Sequence, residues 1–454
     1  MQGSSMEQIL PVPSPVSSYW LSQPHKFSNL RSSTELPTEC EIGIIGSGMA
    51  GITTAYHLFK QENPPTSVVI LEARELCSGA TARNGGHSKI KLSTLASQVQ
   101  KLGADRVDEL QNFVQGVIAS LKQVAEDEEL DCELEIRRSF DVQLDDEDAA
   151  SLKDIYQASR KAGHTWTNNV DFALPQYLEQ VTSIKGAKAA ESVPCCSLWP
   201  YKFVTQLLER LVSRHPEQLN VQTTTPVTAV SVLADGTNAI TTPRGVLKAK
   251  KLVFATNAYT AGLLPQFKDV IIPVRGMASH IVPKVPVHPH LSHTYNITFS
   301  SGQSADYLNP RPDGSIVVGG GGSMFKSDRP SWFDNFDDST RFSGEVEKYW
   351  DNYMQRVFLG WENSEAVVEK VWTGIMGSTP DGWAHMGRVP GRHSQWVLAG
   401  FNGGGMALIP TGAKAVAKMV AEDSDFVDVK REFGIPEIFA TSTERLREAF
   451  AETR

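Results

Sequence analysis

Three glycines and one carboxylate in this chain have the spacing that chemistry on a dinucleotide requires. The run Ile42–Ile45 is apolar and breaks into Gly46-Ser47-Gly48-Met49-Ala50-Gly51, after which Ile52–Phe59 continues at helical period. In such a turn one glycine permits a tight reversal, one lets the backbone approach a pyrophosphate, and one lets helix and strand pack closely. The helix start then presents unpaired N–H groups and a positive dipole end to the phosphates. A second short strand, Ser67–Leu71, ends in Glu72, which stands 21 residues beyond Gly51. A carboxylate at about that distance accepts hydrogen bonds from a ribose hydroxyl. Strand, glycine turn, helix, strand and acid together predict a dinucleotide site.

Directly after Glu72, Ala73 and Arg74 lead into Ser78-Gly79-Ala80-Thr81-Ala82-Arg83-Asn84-Gly85-Gly86-His87. So many small residues suit backbone lying against a flat ring or a phosphate. A third glycine turn, Gly403-Gly404-Gly405-Met406, follows the strand Trp396–Ala399 and opens a helix through about Val420. It is suited to holding an anion or a carbonyl oxygen on backbone N–H groups.

These loops need elements to position them. Apolar residues from Leu95 to Val124 recur at three or four, which predicts one long helix over about 94–127. A strand is expected at 135–143, an acidic helix near 146–162, a Pro/Cys/Trp loop over 190–200 and a helix over 201–215. The segment 219–254 reads as strands ending at Thr256 and Asn257, a return to the nucleotide-binding part. Residues 271–282, 294–299, 305–309 and 315–318 read as antiparallel strands, followed by a helix near 343–358. The fold class is therefore α/β (α+β overall). A Rossmann-like domain is assembled from segments 38–98, 200–266 and 366–425. A substrate or cap domain with a mainly antiparallel sheet takes 99–199 and 267–365. Residues 1–37 form an arm anchored by Tyr19, Trp20 and Phe27, and 426–454 a C-terminal tail.

With 454 residues the chain has room for two or three domains of roughly 100–200 residues. A formal charge of −9 argues against nucleic acid and anionic membranes as partners. No apolar run reaches the roughly 18 residues that span a bilayer. Met1–Thr38 has no secretory-signal pattern and the last residues are no peroxisomal address. The five cysteines have no metal-ligand spacing, and His280, His288, His290 and His293 lack a carboxylate partner in sequence, so no metal is expected. A cytoplasmic protein with reduced thiols, and a monomer, is the expectation.

Taken together, the Gly46/Gly48/Gly51 turn with Glu72, the loop 79–86, Pro273-Val-Arg-Gly276, Tyr307–Gly314 and Gly400-Phe-Asn-Gly-Gly-Gly405 resemble the D-amino-acid-oxidase-type flavoproteins. The resemblance runs from about residue 38 to 425, and its second loop is most like γ-glutamylputrescine oxidase-like members. It implies bound FAD. Gly46, Ser47, Gly48, Met49, Ala50 and Gly51 would hold the pyrophosphate, and Glu72 the ribose, with Ala73 and Arg74 beside it. Ser78, Gly79, Ala80, Thr81, Arg83, Asn84, Gly85, Gly86 and His87 would follow the ribityl chain and the flavin edge. Val227 would lie on the adenine side, and Thr256 and Asn257 are further cofactor-binding candidates. Gly374, Gly403, Gly404, Gly405 and Met406 would face the ring, where backbone dipoles stabilise negative charge as an oxyanion hole does. Trp372, Met376, Trp383, His385 and Phe401 would form an aromatic wall for an apolar or cationic substrate, with Tyr259, Tyr307 and His280 as further pocket candidates. No catalytic base is assigned.

The chain departs from that family at three places. Members with a thioether-linked flavin keep a cysteine where this chain has Gly374-Ile-Met-Gly377, so FAD is expected to be non-covalent; His87 is the alternative attachment site. Met376 and Asn402-Gly403 stand where arginines clamp a substrate carboxylate, which favours an amine or a larger amino-acid derivative. Ile316-Val-Val318 replaces a lysine that assists O₂ reduction, which implies slow reaction with O₂; re-oxidation is by O₂ or by another acceptor. The expected reaction is oxidation of a C–N bond to an imine by hydride transfer to flavin N5. An NADPH-linked flavin monooxygenase and a catalytically silent flavin-binding subunit are the alternatives.

Overall fold

The computed structural model describes residues 8–300 and 305–452. Residues 1–7 of the expected arm and Thr453-Arg454 of the expected tail lie outside the described residues.

The apolar run before the glycine turn is the central strand of the first sheet. Glu39–Ile45 pairs in parallel with Gly245–Phe254 on one side and Val68–Leu71 on the other. Leu219–Gln222 extends the sheet in parallel beyond Val68–Leu71, and Gln395–Ala399 beyond Gly245–Phe254. Both short strands next to the turn are buried along nearly their whole length, so continuous apolar runs are the pattern a covered parallel sheet demands. His385–Arg388 closes one edge antiparallel, and the meander of Ala229–Val232 and Asn238–Thr242 hangs on Gly245–Phe254. The helix Met49–Phe59 is buried at every residue, between Pro200–Arg214 and Ile409–Glu422. Its buried polar side chains are satisfied within the helix where they can be: the hydroxyls of Thr53 and Thr54 donate to the carbonyls of Met49 and Ala50.

The second sheet is mainly antiparallel and runs in the order 367–378, 272–282, 316–320, 306–310, 294–298, 135–143, 189–197 and 87–88. One pair within it, Thr294–Thr298 with Glu135–Gln143, is parallel. Two memberships differ from expectation. Val367–Ser378, expected with the nucleotide-binding segments, pairs along its length with Ile272–Val282. Ala189–Ser197, expected as a loop, is a strand paired with Glu135–Gln143. Its small residues, two cysteines and Pro194 carry little intrinsic strand preference. Burial and a nine-residue partner override that.

The helix expected over 94–127 is two helices, Leu92–Leu102 and Ala104–Asp127. Gly103 lies between them at φ +84°, a conformation open to glycine, so the helix breaks there although the apolar periodicity continues. Residues 344–350 form a 3-10 helix and 353–357 a short α-helix, in place of one continuous helix. The C-terminal segment holds helices Phe426–Phe433 and Thr443–Glu452 and is docked through Arg445, which bonds Asp381 and the carbonyls of Trp383 and Ala384. The arm is anchored as expected. Trp20 is fully buried, and its Nε1–H donates to the carbonyl of Asn84 at 2.6 Å. Among the described residues no helix is long and apolar enough to cross a membrane.

Candidate active site

The turn after the first strand has the geometry its glycines predict. Gly46 sits at φ +109°. A Cβ on Gly51 would lie 1.9 Å from the carbonyl oxygen of Gly46, so helix and strand meet at a distance only glycine allows. A Cβ on Gly48 would come 3.1 Å from Thr81 Oγ1, the atom that accepts a hydrogen bond from Met49 N–H at 2.9 Å. The second loop is thereby fastened to the helix start. Ser47 is fully buried and holds the acid in place: its N–H and Oγ–H donate to Glu72 Oε2 at 2.9 and 2.6 Å. Arg74 N–H donates to the other carboxylate oxygen at 3.0 Å. Glu72 is thus oriented before any ribose arrives.

A cavity of about 850 Å³ opens from this turn and extends to the second sheet. That is near the upper end of ordinary ligand pockets, roughly 300–1,000 Å³. From the first turn it is lined by Gly46, Gly48, Met49, Ala50, Glu72, Ala73 and Arg74. The second loop contributes Gly79, Ala80, Thr81, Arg83, Asn84, Gly85 and His87. Val227, Thr256, Asn257 and Tyr259 line one side, and Tyr307, Gly374, Met376 and Phe401 another. Gly403, Gly404, Gly405 and Met406 complete it. Three dispersed glycine segments thus meet at one space.

The third turn is fixed by side chains that the sequence places far apart. Asn257 Oδ1 accepts from Gly400 N–H at 3.1 Å and Phe401 N–H at 3.4 Å. Asn402, at φ +50°, bonds Thr379 through both its Oδ1 and its Nδ2. Met376 reaches the same turn, since a Cβ on Gly403 would sit 3.4 Å from its sulfur. Gly85 lies flat on Tyr307, whose ring would be 2.7 Å from a Cβ there. His87 borders the cavity with Nδ1 unpartnered among the described residues. Its burial pushes the imidazole down to about 3, so it is neutral at pH 7.

Several residues expected at the site hold it together from outside. Ser47, Gly51, Ser78 and Gly86 shape the turns without lining the cavity. Trp372 is fully buried and donates its indole N–H to the carbonyl of Arg83 at 3.0 Å. It buttresses the second loop and is no pocket wall. His385 packs edge-on to Phe267 and lies against Thr441, away from the cavity. His280 stacks on Tyr19 and bonds Glu369 and Ser315, which makes it an anchor of the N-terminal arm. Arg83 borders the cavity, but its N–H groups donate to the carbonyls of Ser78, Val16 and Thr373. Asn84 bonds the carbonyls of Ala80 and Thr81 and accepts from Gly86 N–H, shaping its own loop. Arg74 pairs with Asp338 at 2.9 Å, with both groups buried.

Sequence reasoning passed over the far end of the cavity. Lys89, Lys91, Asn296, Lys326 and Trp332 line it there, as do Leu110 and Val114 of the helix Ala104–Asp127. The alternation of Lys89 and Lys91 just after the second loop was the available signal.

A parallel sheet with a glycine turn, an oriented acid and a third glycine turn facing them defines a dinucleotide-dependent oxidoreductase. The chain belongs to the FAD dependent oxidoreductase family (DAO), whose model matches residues 41–419. The members of this family are FAD-dependent oxidoreductases, and the cofactor is therefore FAD. Among solved structures the fold is similar to L-proline dehydrogenase from P. horikoshii, with 19% identity over 88% of this chain and 98% of that one, at TM-score 0.66. It is similar to glycine oxidase from Geobacillus kaustophilus, with 18% identity over 88% and 99%, at TM-score 0.66. L-amino acid deaminase from Proteus vulgaris is similar at 15% identity over 90% and 97%, with TM-score 0.64. A protein of Bacillus subtilis (strain 168) described as a Rieske 2Fe-2S iron-sulfur protein, YhfW, is 30% identical over 112 residues. The match takes in 23% of this chain and spans about a fifth of that relative's length.

The residues present fit FAD. Gly51 and Gly46 make a cradle that a single added Cβ would block. The first-turn N–H groups of the helix Met49–Phe59 have no intrahelical acceptor. No cysteine lines the cavity.

Proposed function

We propose that this protein oxidises the C–N bond of an amine or amino-acid derivative to an imine, with O₂ or another acceptor regenerating the cofactor. The observation that carries the reading is the single cavity joining the Glu72 turn to Gly403–Met406 and to the second-sheet residues Met376 and Tyr307. FAD, when bound, supplies a two-electron acceptor for the hydride. Backbone N–H groups of Gly48 and Ala50 would take the pyrophosphate, with Met49 N–H holding Thr81, and Glu72 would take the ribose. Val227 would face the adenine, and Gly403–Met406 would offer N–H dipoles to the pyrimidine end of the ring, where negative charge gathers. No cysteine lines the cavity beside Gly374-Ile-Met-Gly377, and non-covalent attachment is the reading we carry, with His87, which borders the cavity, as the alternative site.

The chain's own groups bind and orient. Met376 and Phe401 give the substrate an apolar wall, and Tyr307 lies against Gly85. A neutral, half-buried His87 adds no charge beside the reacting carbon. We assign the FAD-binding part to segments 38–98, 200–266 and 366–425, with Val367–Ser378 reaching into the second sheet, and the substrate part to 99–199 and 267–365. Five free, buried cysteines suit a reducing compartment, and a cytoplasmic monomer is the reading we carry.

The test is product analysis. Purified holoenzyme is incubated aerobically, and with an artificial acceptor, on a panel of amines and amino-acid derivatives. Carbonyl product and released amine or ammonia are then quantified. Stoichiometric carbonyl formation from one class supports the proposal. Turnover that needs NADPH and inserts oxygen would replace it.

A further inference from the structure

The N-terminal arm precedes the span matched by the family, which begins at residue 41, yet it reaches the cofactor cavity. Leu10 and Pro11 line that cavity together with Pro226, Val227 and Leu263, and Glu72 lines it too. Leu10 also packs against the apolar cluster that holds Val227 and Leu263. Both arm residues are half-buried.

The arm is fixed unequally along its length. At its root, Val16 N–H donates to the carbonyl of Asp338 at 2.8 Å, and the Val16 carbonyl accepts from Arg83 Nη1 at 2.7 Å. Ser18 donates its hydroxyl to the carbonyl of Ala82, and the fully buried Trp20 donates to that of Asn84. The root is thereby clamped to the second glycine loop. The tip, residues 8–13, is held more lightly. Gln8, an exposed residue, donates from Nε2 to the carbonyls of Thr228 and Gly262, each at 2.8 Å. The carbonyl of Val12 accepts from Arg74 Nη1 at a long 3.3 Å.

The seat of the tip is nonetheless shaped for it. A Cβ on Gly262 would lie 2.0 Å from the carbonyl oxygen of Ile9, so only glycine lets the arm lie down on the 3-10 helix Asn257–Gly262. Pro11, Pro13 and Pro15 alternate through the crossing. Their fixed φ keeps the chain extended, they bring no N–H donor to satisfy, and a stiff segment loses little entropy on docking. Pro13 and Ser14 are exposed and form the joint between clamped root and light tip. A chain end held by few bonds is where local opening starts.

We propose that residues 8–13 are a strap over the adenosine half of FAD. The tip lifts from Gly262 and Val227 to admit the cofactor, then closes with Leu10 and Pro11 against the adenine side and slows its release. The strap needs the adenosine half between Glu72 and Val227, the placement given above, and needs nothing of the C–N reaction. Bound adenine completes the apolar contact of Leu10 and Pro11, so cofactor and strap order each other.

Two measurements on the full chain test this. The five native cysteines are buried, so a nitroxide on Ser14→Cys reports selectively on the joint. The label should be mobile in the apoprotein and immobilised by FAD and by ADP, but not by FMN, which lacks the adenosine half. Leu10→Ser combined with Pro11→Gly should release FAD about tenfold faster or more, read as the rise in flavin fluorescence on dilution. The apoprotein Tm should stay within about 2 °C of wild type. Gln8→Ala should speed release more mildly. Unchanged release from the double variant would overturn the proposal, as would a label equally mobile, or equally immobile, with and without FAD. Faster release matched by a lower apoprotein Tm would make the tip a structural element only and overturn it as well. Immobilisation by FMN and not by ADP would overturn the placement of the adenosine half together with the strap. Product analysis that finds no amine oxidation would remove the reaction and leave the strap standing.

Discussion

Asp338 is the point where the nucleotide-side loop and the second-sheet side are joined by charge, and removing that charge should be costly. Its carboxylate receives Arg74 Nη1 at 2.9 and 3.1 Å and lies 3.5 Å from Arg83 Nε. Asp338 is 1% exposed, Arg74 6% and Arg83 4%, so water cannot replace the lost partner. Burial holds the Arg83 guanidinium down to about 10, with Asp338 opposing the fall. Asp338→Asn keeps the shape and leaves two buried cations without their anion. Breaking a buried pair in this way costs about 3–5 kcal/mol. With an unfolding entropy of ~2 cal/mol/K per residue, that becomes a fall in Tm of ~3–5 °C for a chain of this size. The same change loosens residues 73–84, which border the cofactor space, so FAD should also dissociate more readily. Differential scanning calorimetry of apo and holo protein, with released FAD read by fluorescence, measures both. Arg74→Met added to Asp338→Asn should recover part of the loss by removing one orphaned charge. A Tm within about 1 °C of wild type, a shift of under ~1 kcal/mol, with FAD fully retained would mean that Asp338 does not hold the two arginines in this way.

Two further predictions concern the cradle and acid stability. Gly51→Ala places a methyl 1.9 Å from a backbone oxygen, which no side-chain rotation relieves. It should cost about 1–3 kcal/mol or more and strip the purified protein of FAD, and a full FAD-to-protein ratio would count against the turn as the pyrophosphate site. His57 and His385 are each pushed down to about 3, first by burial. Between that value and the ordinary ~6.5 the unfolded chain binds the extra protons, so this stability is complete above pH ~6.5 and is lost as pH falls towards 3. At pH 5 each histidine should have cost about 2 kcal/mol. Tm measured from pH 7.5 to 5 should fall, and His57→Gln or His385→Gln should flatten the slope; slopes identical to wild type would contradict this.

What could be read in the chain followed the locality of the physics. The turn at Gly46–Gly51 and the strand ending in Glu72 are set by neighbours within about thirty residues, and composition and period reveal both. The Gly103 break was hidden because the apolar stripe continues through it. Val367–Ser378 was misplaced because its partner, Ile272–Val282, lies almost a hundred residues away. Alternation does put Trp372, Gly374 and Met376 on one face of that strand. Only the structure shows that Trp372 runs past the cavity and under the carbonyl of Arg83. Lys89 and Lys91 look like solvated charges in sequence, because Asp141, which anchors their corner, arrives from a strand about fifty residues later.

The most direct measurement is the spectrum of the purified protein under anaerobic titration with amines and amino-acid derivatives. The protein should show an oxidised flavin band near about 450 nm that at least one such compound bleaches without NADPH. A protein with no flavin band, or a band that only NADPH bleaches, would contradict it.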